Sequence, residues 1–227
     1  MHGHWGRPVV VFPTEGGSAT DAEANGLVGA VEGLLDAGRL KLYCVDSYDH
    51  ESWSAAHKPV EDRARAHEYY ESWITSTLVP FIADDCGGAT DLAAAGCSMG
   101  AVHALNVTLR HAEHFVLALC FSGNYDPAAM RSWGERGMAT YFTNPIDYVP
   151  NLEGGHLEWL RSRVAVLLVT GQGQWEDTTG ALDSTRHMAG LLAEKGIRHE
   201  LDLWGYDVPH DWPSWRAQWA HHLPRFC

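Results

Sequence analysis

Residues 91–105, "DLAAAGCSMGAVHAL", decide how this chain is read. The first half is a run of small apolar residues, the composition of a strand buried on both faces. The second half spaces its apolar residues for a helix. Between them lies Gly96-Cys97-Ser98-Met99-Gly100, a Gly-x-Ser-x-Gly pattern placed where strand gives way to helix. In that setting the serine stands on a tight, strained turn with its hydroxyl presented outward, and the flanking glycines let helix and strand pass without a Cβ collision. The pattern predicts Ser98 as a nucleophile. The competing reading is an ordinary small-residue turn, and the surrounding chain has to separate the two.

Outward from Ser98, short apolar runs alternate with longer periodic ones. Strands are predicted at 9–12, 40–46, 92–98, 115–123, 164–171 and 199–205. Helical spacing covers 20–37, the segment from Pro59 to Phe81, 99–111, 182–195 and 212–222. Pro59 suits a first helical turn, and Pro80 is expected to kink the last turn of its helix. Near-continuous apolar strands are those of a parallel sheet covered by helices on both faces. The expected fold is therefore α/β: one domain over 1–227, with three layers and about six mainly parallel strands. Residues 124–162, with Trp133, Tyr141, Phe142 and Trp159, break the alternation and are expected to form a lid or substrate-wall insertion.

Composition narrows the function class. The 227 residues are 45% hydrophobic and 20% charged, which suits one compact domain with a large core. The formal charge is −13 and no Lys/Arg block occurs, so the electrostatic footprint of a nucleic-acid binder is missing. No run approaches the roughly 18–20 apolar residues of a membrane span. The five cysteines are scattered, three of them within apolar runs, which favours free buried thiols and a reducing compartment. The first residues carry no charged-then-apolar export signal, so a cytoplasmic location is expected.

A serine hydroxyl is a weak nucleophile until a base takes its proton. His210 lies in "YDVPHDWPSW", between the last strand and the last helix, where such a base belongs. Asp211 beside it reads as the N-cap of a helix with Pro213 in its first turn. The carboxylate that orients the imidazole is expected in "QGQWEDTTGALD", after the strand before. Glu176 and Asp177 both qualify there, Glu176 being favoured by loop position, while Asp183 reads as a helix-start signal. Donors for an oxyanion are expected from the Met99 N–H and from the backbone of "PTEGGS", at Glu15 or Thr14. Trp212, Trp215 and Trp219 recur at helical spacing and read as core. Trp175 and Tyr206 adjoin the proposed acid and base and are candidate pocket walls. His2/His4 and His221/His222 read as solvated ends, so no metal is expected, and neither "EGG" nor "GQG" has the spacing of a phosphate loop.

The segments "YCVDSYDHESW", "EDRARAHEYYESWI", "GCSMGAVHALNVTLRHAEHF", "FSGNYD" and "WGYDVPHDWPSW" together resemble the esterase D-like branch of the α/β-hydrolases. That branch includes S-formylglutathione hydrolases, enterochelin esterases, feruloyl esterases and the mycolyltransferase antigens. The resemblance runs over nearly the whole chain. It implies Ser98 as nucleophile, His210 as base, an acid in the 174–177 loop and an oxyanion loop at "PTEGG". "QWED" departs from the usual single-Asp pattern. The N-terminal antiparallel strands of larger members are reduced, which leaves the sheet edge and a homo-oligomer open.

The expected activity is that of a serine carboxylic-ester hydrolase acting through an acyl-enzyme on a small-molecule ester, with no cofactor. An acyltransferase or thioesterase with the same triad, and a non-catalytic hydrolase-fold binding protein, are the alternatives. Family resemblance does not name a substrate.

Overall fold

Along Arg7–Phe12 (β1), Val9 and Val11 join one apolar cluster while Val10 and Phe12 join another on the opposite face. The same alternation runs along Leu92–Cys97 (β3) and Ala165–Thr170 (β5), so each face of the sheet has its own core. This two-sided burial is why the strands read as unbroken apolar runs. The structure is a computed structural model and describes residues 1–88 and 91–227. Leu40–Cys44 (β2), Phe115–Phe121 (β4) and Arg198–Leu203 (β6) complete the sheet. Among the described residues it has six strands, all parallel, in the order β2-β1-β3-β4-β5-β6. The order reverses direction between β1 and β3, which opens a crevice at the carboxyl ends of those strands.

Helices cover both faces. Asp21–Ala24 (α1), Leu27–Ala30 (α2) and Glu32–Asp36 (α3) replace the single helix expected over 20–37. That helix is broken at Asn25 and Gly26 and again at Val31, because Gly26 takes a left-handed conformation that ends one turn and starts the next. Val60–Trp73 (α4) and Val79–Asp85 (α5) flank a π-helical turn, Ile74–Leu78. The widened turn is how the helix accommodates Pro80, which has no N–H to donate and whose ring crowds the carbonyl one turn earlier. Thus the distortion falls one turn before the proline, not at the helix end. Met99–Arg110 (α6) is buried along almost its whole length and packs on β3 and β4.

Residues 124–162 hold Met138–Thr143 (α7), Pro145–Tyr148 (α8) and Gly154–Arg163 (α9). Two side chains of α4 fasten this segment. The Glu61 carboxylate accepts hydrogen bonds from the N–H groups of Gly137, Ala139 and Thr140 and from the Thr140 hydroxyl, at 2.8–3.1 Å. Arg63, fully buried, donates to the carbonyls of Trp53, Met130 and Arg131. Ala181–Glu194 (α10) and Trp212–His222 (α11) close the chain.

The sheet edges are blunt. On the β2 side, His2 pairs antiparallel with Leu42 through two backbone hydrogen bonds. On the other side β6 is half exposed and carries Arg198, Glu200 and Asp202, unlike the continuous apolar run of the inner strands. Charged residues on an edge strand discourage pairing with another chain. Among the described residues, no helix is long and apolar enough to cross a membrane.

Candidate active site

The β3–α6 junction forces Ser98 to φ 56°, ψ −121°, a conformation that L residues rarely adopt. The glycines on either side make it feasible. A Cβ on Gly96 would lie 2.3 Å from the Gly100 carbonyl group, and one on Gly100 would lie 2.4 Å from the Phe12 carbonyl oxygen. Strand, helix and the end of β1 therefore touch backbone to backbone under Ser98. The Ser98 N–H donates to the Phe121 carbonyl at 2.8 Å, tying the turn to β4.

His210 reaches this serine from the loop before α11. Its backbone N–H donates to the Gln174 carbonyl, and its ring meets the Trp215 indole edge-on with centroids 5.0 Å apart. The imidazole Nε2 lies 3.1 Å from Ser98 Oγ, and Nδ1 lies 3.0 Å from Glu176 Oε2. An ionised carboxylate only accepts, so Nδ1 carries the proton and Nε2 is free to accept the serine hydroxyl. Glu176 is fully buried, and its other oxygen accepts from the Ser122 hydroxyl at 2.5 Å and from the Gly171 N–H at 3.3 Å. Ser122 in turn accepts from the Trp215 indole N–H at 3.1 Å. Both oxygens of the buried carboxylate are thereby hydrogen-bonded, as burial of a charge requires.

The neighbouring acids have other partners. Asp177 accepts from the adjacent Thr178 N–H and has no contact with His210. Asp211 caps α11 by accepting from the Ser214 N–H at 2.9 Å, as its position predicts. Asp183 stands in the first turn of α10, almost wholly exposed.

A cavity of about 260 Å³ opens over Ser98 and His210, with Met99, Glu15, Ser122, Asn124, Met130, Thr178 and Thr179 in its wall. Met99 is the first residue of α6, so its N–H has no intrahelical acceptor. The Glu15 N–H likewise meets no acceptor among the described residues. Thr14 does not line this cavity; its carbonyl accepts from the Gly17 N–H to form the loop's turn. Trp175 and Tyr206 are 49% and 81% exposed and do not line it either. Sequence adjacency to Glu176 misleads for Trp175, which takes a left-handed φ of 71° and is exposed while Glu176 is buried. Trp215 and Trp219 are core as expected, but Trp215 is also linked to Glu176 through Ser122.

Ser122 and Asn124 are the site residues that the sequence analysis left without a role. The available signal was their place in "FSGNYD", at the carboxyl end of β4 beside the Ser98 strand. Ser122 also takes a positive φ of 53°, as Ser98 does. Cys97 is no rival nucleophile. It is buried, and burial pushes its thiol well above the ordinary range, so the reactive thiolate is scarce. All five cysteines are free thiols.

Asp202, His221 and His222 bring their ligand atoms within 4.8 Å of one another. Here the Arg225 guanidinium donates to His222 Nδ1 at 3.0 Å, which leaves the proton on Nε2, 3.0 Å from Asp202 Oδ2. A protonated Nε2 beside an arginine is a poor cation ligand, and the cluster reads as a polar contact between β6 and α11.

Over residues 40–226 the sequence matches the family model described as "Putative esterase". The chain belongs to this esterase family. Membership supports an enzyme that acts on carboxylic esters of small molecules. No curated protein matches the sequence. Among solved structures, the esterase chain resembles a ferulic acid esterase at TM-score 0.70 and 16% identity, covering 97% of this chain and 84% of that one. It resembles an S-formylglutathione hydrolase from Agrobacterium tumefaciens at TM-score 0.70 and 16% identity, with 98% and 84% covered. MPT51 from Mycobacterium tuberculosis gives TM-score 0.68 at 16% identity, with 96% and 87% covered. These likenesses establish the α/β-hydrolase fold of the esterase.

Proposed function

We propose that the chain is a serine carboxylic-ester hydrolase working through an acyl-enzyme, with Ser98 as nucleophile, His210 as general base and acid, and Glu176 as the carboxylate that orients the imidazole. The supporting observation is the continuous hydrogen-bonded line from Ser98 Oγ through His210 to Glu176, fixed at its far end by Ser122. As Ser98 Oγ bonds to the ester carbonyl carbon, its proton passes to His210 Nε2. The carbonyl electron pair moves onto oxygen, where the N–H groups of Met99 and Glu15 receive it. Collapse breaks the bond to the alkoxy oxygen, and His210 returns its proton to the departing alcohol. Water then enters, loses a proton to His210, and releases the carboxylic acid with the serine hydroxyl restored.

The cavity is small and its wall mixes hydroxyl, amide and carboxylate groups with Met99, Met130 and Ala181, which suits a short acyl chain. The whole chain acts as one domain in this reading, with 124–162 as a fixed wall contributed through Asn124 and Met130. Turnover of p-nitrophenyl acetate by the wild type should fall at least about 10³-fold in Ser98→Ala and in His210→Ala while both remain folded. A folded Ser98→Ala that keeps wild-type turnover would remove Ser98 from the mechanism. Across p-nitrophenyl esters, kcat/KM should decline from acetate to octanoate. A rising series would contradict the small acyl pocket.

A further inference from the structure

"YCVDSYDHESW" takes no part in the relay, yet its turn grips the loop that carries the Glu15 amide. The Ser47 N–H donates to the Gly17 carbonyl at 3.0 Å, Asp46 accepts from the Ala19 N–H at 2.8 Å, and Ser54 donates to the Glu15 carboxylate at 2.6 Å. Asp49 holds the backbone next to Glu15: its Oδ2 accepts from the Gly16 N–H at 3.0 Å. Its Oδ1 accepts from His103 Nε2 at 2.9 Å. His103 stands one helical turn after Met99 on α6. Asp49 and His103 are both essentially solvent-free.

We propose that Asp49 is a positioning residue that sets the spacing between the two oxyanion donors, an inference that rests on the esterase reading above. One carboxylate touches both bodies whose separation matters. Through Gly16 it fixes the peptide adjoining the Glu15 N–H, and through His103 it is locked to the helix that begins with the Met99 N–H. The Gly16 φ of +66° allows that peptide to turn its N–H toward Asp49. Burial raises the Asp49 carboxyl, but the attraction of His103 and the bonds from His103 and Gly16 outweigh it, holding the group below its ordinary value. A stable acceptor is thus present at neutral pH. Oxyanion donors act only when preorganised, and a displacement of about 1 Å can cost on the order of 100-fold in rate.

The test compares Asp49→Ala and Asp49→Asn with wild type on p-nitrophenyl acetate, with melting temperatures recorded for each. Asp49→Ala should lower kcat about 10- to 100-fold with KM within about twofold, since substrate binding is left intact and only the transition state loses support. Asp49→Asn keeps an acceptor for Gly16 and can donate its amide to His103 Nε2, at the cost of a proton on the buried, partnerless Nδ1. It should raise kcat at least about threefold over Asp49→Ala. A role confined to stability would lower the melting temperature without this split. Should Asp49→Ala fail to fold, His103→Ala serves instead, because it frees the carboxylate from α6 while sparing the Gly16 bond, and the same kcat loss is expected. A folded Asp49→Ala or His103→Ala with kcat within twofold of wild type would overturn the proposal, as would an Asp49→Asn no better than Asp49→Ala. A wild type that hydrolyses no ester would instead overturn the esterase reading, and this inference with it.

Discussion

Glu176 and Asp177 are adjacent carboxylates whose surroundings separate them. Glu176 is sealed between Ser122, Gly171 and His210, whereas Asp177 is satisfied by the turn it stands in. Glu176→Gln should therefore cut kcat by about 10³–10⁴-fold by presenting an amide to His210 Nδ1, while Asp177→Asn should stay within about twofold. Steady-state kinetics on one ester decides this, and a severe Asp177→Asn defect would move the acid. Ser122→Ala should cost about tenfold in kcat, since it removes one of the two donors to Glu176 Oε1 and leaves the Trp215 N–H unpaired. At this scale the sequence was most informative where order along the chain constrains chemistry: Ser98, the 176–177 loop and His210 follow the strands in hydrolase order. It was least informative where a role depends on a side chain's direction. Ser122 braces the acid and Trp175 turns away from the cavity, and neither orientation is encoded in spacing.

Among the elements, the Ser98 turn has little room for change. A Cβ on Gly100 meets backbone oxygens of Phe12 and Pro13 that no rotamer change can move. Gly100→Ala should therefore lose about 2–3 kcal/mol of stability and displace the loop bearing Glu15, lowering kcat as well. Denaturant melts and kinetics on the same preparation test this; unchanged values in both would contradict the backbone contact. Strand positions were legible because two-sided burial writes itself as apolar runs. The helix over 20–37 was legible only as a period, since Gly26 interrupts the backbone without interrupting the apolar spacing. The distortion near Pro80 was foreseen in kind but not in place, because the helix relieves a proline in the turn before it.

For the whole molecule, a buried polar network crosses between α4 and α6. Glu71 accepts from Asn106, lies 3.2 Å from His67 Nε2 and pairs with Arg110, and Tyr148 donates to Asn106. Burial alone would raise Glu71, but the nearby His111 and His67 imidazoles and the charge of Arg110 hold it far below the ordinary carboxylate range. Burial also holds His67 below its ordinary value, so it stays neutral and Arg110 supplies the balancing charge. Both shifts have the same sign for stability. Each folded-state value lies below the unfolded one, so the contribution is complete at higher pH and lost on acidification, from about pH 6.5 downward for His67 and from about pH 4.3 downward for Glu71. The melting temperature should fall through pH 6 and more steeply below pH 4, in one transition if the chain is a single domain. His67→Gln should flatten the first part of that decline. A melt independent of pH between 7 and 4 would contradict the assignment of these charges.

The central claim is that Ser98 forms a covalent acyl-enzyme. The most direct measurement is the intact mass of the protein after exposure to a fluorophosphonate, followed by peptide mapping, in wild type and Ser98→Ala. The account predicts one phosphonyl adduct per chain, located on Ser98, formed in parallel with loss of ester hydrolysis and missing from Ser98→Ala. A folded wild-type chain that acquires no adduct, or acquires it on another residue, would contradict it.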